Sequence, residues 1–193
     1  MPLLTLPTNY LIALNHFSAI SISGEEKEKY LQGQVTCDVN TLSEQPLLHG
    51  AHCNAKGKVF SCFRLLEKDN QLLLLQPDAT ITPSLAELKK FGVFAKVDIN
   101  KAEQLRFYAV SGENPADILA THFTQIPNSL TPVIHQGSTT LVYISGSVAR
   151  YILIDNDENL APLIAKLALP TVDEAVWDFH EITQGFPALT TEH

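Results

Sequence analysis

The chain has 193 residues, 45% of them apolar, with 13 lysines and arginines against 21 aspartates and glutamates, a net charge of −8. That is enough to bury a core, as one large domain or two small interlocked ones. The acidic surface lacks the basic footprint that binding of naked nucleic acid requires, the densest basic group being Lys89, Lys90 and Lys96, so no direct nucleic-acid partner is expected. There is no run of about 18 apolar residues and no basic segment leading into an apolar core at the N-terminus, so a cytoplasmic protein without a membrane partner is expected.

In chain order, the apolar runs Tyr10 to Leu14 and Ala19 to Ile22 flank Asn15-His16 and predict an opening hairpin. Ser23 with Glu26 three residues on reads as a capping box, which starts a helix that stops at Gly33. Leu47 to Cys53 and Val59 to Leu66 predict a second hairpin around a five-residue polar turn. A strand at Leu72 to Leu75 and a helix carrying Leu85, Leu88 and Phe91 follow, then strands at Val93 to Ile99 and Leu105 to Val110. Pro115 opens a helix to about His122, and three strands are expected at Pro132 to His135, Thr140 to Ser145 and Tyr151 to Ile154. Leu160, Leu163, Ile164 and Leu167 define a helix capped by Asp155 or Asn156, and Thr171 with Glu174 caps the last one. Hairpins interrupt the alternation of strands and helices, which argues for an α+β fold with mostly antiparallel sheets.

Cys37, Cys53 and Cys62 are odd in number and lack CxxC spacing, which favours reduced thiols. His49, His52, Cys53 and Cys62 are close in sequence, but strand alternation sends His49 and Cys53 to one face and His52 to the other, so the four cannot converge without a bulge and no metal site is expected.

Two segments stand out: Tyr30-Leu31-Gln32-Gly33-Gln34-Val35-Thr36-Cys37-Asp38-Val39 and His52-Cys53-Asn54-Ala55-Lys56-Gly57-Lys58. Taken alone, Gly57 supplies a positive φ in a turn, and Lys56 and Lys58 are solvated turn residues. Read together, and with Leu85 to Phe91, Val93 to Val97 and Gln184-Gly185-Phe186-Pro187 in the same order, they resemble the YgfZ family of folate-binding proteins, relatives of the glycine-cleavage T protein. The resemblance runs from about Asn9 to the C-terminus. It marks Gly33, Gln34, Lys56, Gly57, Lys58 and Gly185 as family-motif positions.

The resemblance implies two intertwined α+β lobes forming a folate-binding region over residues 1–193. It further implies an accessory protein that uses tetrahydrofolate or a one-carbon derivative to support iron–sulfur enzymes, including iron–sulfur cluster assembly or repair, and tRNA modification. In the family two tryptophans are associated with folate. One lies eight residues before the glycine of the Gly-Phe-Pro block, as Trp177 does before Gly185; the other falls on Phe17, seven residues before Gly24. A flat heteroaromatic pterin needs such stacking walls and a few fixed polar groups. In the last helix Val172, Ala175, Val176, Phe179 and Ile182 form the apolar stripe, which puts Trp177 on the opposite, polar side beside Asp173, Glu174 and Glu181. Phe17 shares strand parity with Ala19 and Ser21, opposite Ile20 and Ile22, which leaves a stacking role and a place in a satellite core both open.

Thr183 stands where many relatives carry a pterin-binding glutamate, and Glu181 is nearby, so both are further folate candidates. The family's K-G-C-Y-x-G-Q-E segment and C-terminal barrel lie beyond His193, which predicts a truncated chain without the family's functional cysteine. An aminomethyltransferase-like enzyme is the competing reading. Its aspartate belongs on the strand after the Gly turn, and Val59-Phe60-Ser61-Cys62-Phe63 holds no carboxylate, so no catalytic residue is assigned. A degenerate, non-catalytic fragment is the third.

Overall fold

The computed structural model describes residues 6–187 and 189. The strands are β1 (Asn9–Ala13), β2 (Phe17–Ser23), β3 (Leu48–Cys53), β4 (Val59–Lys68), β5 (Gln71–Pro77), β6 (Asp98–Lys101), β7 (Leu105–Gly112), β8 (Val133–Gln136), β9 (Thr139–Ile144), β10 (Arg150–Asn156) and β11 (Thr171–Val172). The helices are α1 (Lys27–Gln32), α2 (Asp78–Gly92), α3 (Pro115–Leu119), α4 (Asp157–Leu167) and α5 (Ala175–Thr183), with a 3-10 turn at Val39–Thr41. The chain forms two compact units, one from the N-terminal segment through Asn15 with Gln104–Phe186, the other from His16–Glu103.

The first unit is a six-stranded sheet in the order β11-β1-β7-β10-β9-β8. All its pairings are antiparallel except β1 with β11. Leu11, Val110, Leu141, Tyr151 and Leu153 share a core with Leu160 and Leu167 of α4 and with Leu119 and Phe123. Asn156 caps α4 by accepting from the Asn159 N–H at 2.9 Å.

The second unit is a five-stranded antiparallel sheet, β3-β4-β5-β2-β6. Ile20, Ile22, Phe63, Leu65, Leu72 and Leu74 pack with Ile81 and Leu88 of α2 and with Tyr30 and Leu31 of α1. The α+β class with mostly antiparallel sheets is therefore as the sequence predicts.

Several local expectations are corrected. The opening hairpin does not form, because β1 pairs with β7 and β11 while β2 pairs with β5 and β6. Long-range pairing, to β5 with its buried run Leu72 to Leu75 and to β7 with buried Phe107, Ala109 and Val110, overrides the short Asn15-His16 link. Neither predicted capping box exists. Ser23 ends β2, and the Glu26 carboxylate accepts from the Lys96 backbone N–H at 2.9 Å, fixing the α2–β6 connection instead. Thr171 belongs to β11, and Asp173 accepts from the Ala175 N–H at 2.8 Å. Val93 to Val97 is a turn segment, with β6 starting at Asp98. Val93 and Phe94 are largely exposed, so no burial holds a strand there.

Candidate functional site

In the first unit the residues toward the end of α5 gather around one cation. Arg150, at the head of β10, is fully buried. Its Nη1 donates to Glu181 Oε1 and its Nη2 to Gln184 Oε1, each at 2.7 Å. Its guanidinium carbon lies 4.5 Å from the centroid of the Trp177 ring. A planar cation that forks to two acceptors and stacks on an indole is the arrangement arginine serves and lysine cannot. Gly146, in the β9–β10 loop, has no Cβ because one would collide with the Gln184 amide.

This geometry reverses the expected orientation of α5. Trp177, His180 and Glu181 are buried, whereas Phe179 and Ile182 are 62% and 67% exposed. Phe179 and Ile182 of the apolar stripe lie on the outer face while Val176 stays buried, because the inward face is organised by a buried ion pair that counting apolar residues cannot register. Arg150 escaped sequence reasoning altogether. Its one signal is parity: a lone arginine in register with Ile152 and Ile154 on a strand buried from Arg150 to Asp155.

Thr183 donates to the His180 carbonyl at 3.0 Å, so its hydroxyl proton is spent within the helix. Gly185 takes φ +71°, the left-handed turn that ends α5. In the other unit, Phe17 begins β2 opposite Pro77 and is 8% exposed, off the core that Ile20 and Ile22 join.

Each unit also holds a buried histidine. His180 Nε2 lies 2.9 Å from the Tyr10 hydroxyl; burial first, then the Arg150 charge, push its pKa down against the pull of Glu181. His52 Nδ1 lies 2.8 Å from Ser84 Oγ, and burial pushes it down against Glu87. Both are therefore neutral when folded and take up a proton more readily when unfolded. Their contribution is intact above the ordinary histidine pKa and is lost as pH falls through the lowered folded values. The urea midpoint is expected to fall between pH 7 and pH 5, with a slope of at most about 1.4 kcal/mol per pH unit per histidine. His52→Gln and His180→Gln should each flatten that slope.

In the second unit the two sequence motifs meet. Val35 bridges to His52, the Thr36 N–H donates to the Ala51 carbonyl at 3.0 Å, and Thr36 Oγ1 accepts from the Ala51 N–H at 2.8 Å. The Asn54 side-chain oxygen accepts from the N–H groups of Lys56 and Lys58, both at 2.9 Å, and Gly57 takes φ +80°. Gly33, Gln34 and Lys56 thereby line one cavity of about 670 Å³, with His52, Cys53, Asn54, Glu87, Lys90 and Phe91. Lys58 and Gly57 stand outside it. β3 carries a bulge at His52/Cys53, Cys37, Cys53 and Cys62 are free thiols, and no three metal-ligating side chains converge among the described residues.

No protein-family model matches the chain. It is 58% identical over 185 residues, 96% of its length, to the tRNA-modifying protein YgfZ of Colwellia psychrerythraea. The chain belongs to the YgfZ family. It is 35% identical to the YgfZ protein of Yersinia enterocolitica over 99% of its length. The chain spans 57% and 59% of the lengths of these two relatives. In fold it is similar to the glycine cleavage aminomethyltransferase T of Bartonella henselae, with a TM-score of 0.72 at 15% identity over 84% of this chain and 46% of that one. A heterotetrameric sarcosine oxidase from Corynebacterium follows at a TM-score of 0.57 and 10% identity, over 95% of this chain and 87% of that one. The T-protein-like fold expected of a YgfZ relative is thus present. Among the described residues no helix is long and apolar enough to cross a membrane.

Proposed function

We propose that this chain is the folate-binding region of a YgfZ-type accessory protein, which uses tetrahydrofolate or a one-carbon derivative in support of iron–sulfur enzymes and tRNA modification in the cytoplasm. The observation that carries the reading is the 58% identity to a tRNA-modifying YgfZ protein across 96% of the chain. The α5 region supports the folate assignment. Trp177 keeps the family spacing to Gly185, and Arg150 holds its ring in place. Gln184 Nε2 is buried with no partner among the described residues, an unused donor for a pterin acceptor. Glu181 is committed to Arg150, so its role is to position the cluster while Trp177 and Gln184 contact the ligand, with Thr183 offering its oxygen. Phe17 remains a stacking candidate, separately tested by Phe17→Trp.

Aminomethyl transfer would need a carboxylate just after the Gly57 turn. The first half of β4 supplies none, which favours an accessory role over a transferase.

The cellular role is tested by grafting this chain in place of the matching region of the Colwellia relative and expressing the chimera in a strain lacking its own YgfZ protein. Restored iron–sulfur-dependent tRNA methylthiolation is expected. A chimera that accumulates as folded protein yet restores none would overturn the assignment.

A further inference from the structure

The cavity of the second unit has no part in the folate reading, yet its 670 Å³ suits one small molecule. Phe91, at the end of α2, lines the cavity and is 47% exposed, with Lys90 Nζ 5.0 Å from its ring centroid, so it offers exposed aromatic surface for stacking. The charged groups of the lining are Lys56, Lys90 and Glu87, the last two paired at 3.7 Å. Two positive charges against one negative, with His52 neutral at pH 7, leave one unmatched cation, Lys56.

Lys56 is held at the rim by a preorganised turn. The Asn54 N–H donates to the Lys58 carbonyl and the Gly57 N–H to the Asn54 carbonyl, each at 2.9 Å. With its side-chain oxygen engaged by two backbone N–H groups, Asn54 keeps its Nδ2 as its remaining side-chain donor, and Gln34 adds a second amide to the wall. An aromatic wall, one unmatched ammonium and two amides complement a flat ring bearing an acid.

We propose that this cavity binds a small aromatic anion, a planar ring carrying one carboxylate or phosphate group, with the ring stacked on Phe91 and the anion on Lys56. The residues that make it are the two sequence motifs brought together by the fold, which gives the Gly33-Gln34 and Asn54-Ala55-Lys56 segments a common purpose.

Calorimetric titration of the intact chain with adenosine 5′-monophosphate, benzoate, adenosine and inorganic phosphate tests this. At least one of the two aromatic anions should saturate at one site per chain, adenosine 5′-monophosphate if the partner is a phosphate and benzoate if it is a carboxylate. Adenosine and inorganic phosphate should bind at least about tenfold more weakly, since each lacks one of the two contacts. Lys56→Gln and Phe91→Ser, both at exposed side chains, should each cost about tenfold with an unchanged melting temperature, and Gln184→Leu, the variant that should weaken tetrahydrofolate binding, should have no effect, which separates this site from the folate reading. The proposal is overturned if neither aromatic anion saturates, if adenosine or phosphate alone binds as well, or if both cavity variants bind like the parent chain.

Discussion

Arg150→Met is expected to destabilise the protein by about 3–5 kcal/mol, because it leaves the Glu181 carboxylate buried without its cation. That is a large share of the roughly 5–15 kcal/mol by which a domain is ordinarily stable. The loss should be read as a drop in the urea midpoint at pH 7, followed by the emission of Trp177, the single tryptophan of the chain. The emission maximum of the folded variant should also shift, since the guanidinium 4.5 Å from the indole is gone. Arg150→Met combined with Glu181→Leu should recover most of the stability, because replacing both members of a buried pair removes the uncompensated charge. A double variant no better than the single one would show that the cost arises from packing and not from the orphaned carboxylate.

Asp155→Ala is expected to cost about 2–4 kcal/mol, by depriving four donors of one buried acceptor. Its Oδ2 accepts from Ser138 and Thr139, both at 2.8 Å, and its Oδ1 from the Asn156 N–H at 2.7 Å and Asn159 Nδ2 at 3.0 Å. The group ties the β8–β9 turn to the end of β10 and the first turn of α4. Burial raises its pKa, but the donors from Asn159, Ser138, Thr139 and Asn156 more than offset this and hold it below the ordinary aspartate value. The sign follows: the stabilisation is complete above the ordinary aspartate pKa and is lost as pH falls through the lower folded one. Asp155→Asn should cost less at pH 7 and should flatten the acid limb of the stability curve below pH 4, distinct from the histidine-driven loss that sets in below neutrality.

The parts of this fold that sequence reasoning reaches are those with local causes. The β3–β4 hairpin is set by Asn54 and Gly57, and α4 by its Asn156 cap and leucine stripe; both fall within a residue or two of expectation. What it misses depends on partners far along the chain. β1 and β2 look like a hairpin until β7, whose partner residues lie 95 or more positions on, claims β1. Glu26 looks like a helix cap until Lys96 claims its carboxylate. Trp177 looks outward until Arg150, 27 positions earlier, turns the polar side of α5 inward. The motif segments at Gly33 and Lys56 are legible as important, but it takes the Val35–His52 bridge and the Thr36–Ala51 hydrogen bonds to show that they build one wall.

The folate assignment at α5 is tested most directly by titrating tetrahydrofolate into this chain while following Trp177 fluorescence, with calorimetry in parallel. Saturable quenching is predicted, with a matching heat. Trp177→Phe should retain most of the affinity, because it keeps a stacking face, while Gln184→Leu should weaken binding by about 1–3 kcal/mol through the loss of a buried donor. No heat and no quenching with tetrahydrofolate, from a protein that melts cooperatively, would contradict the account.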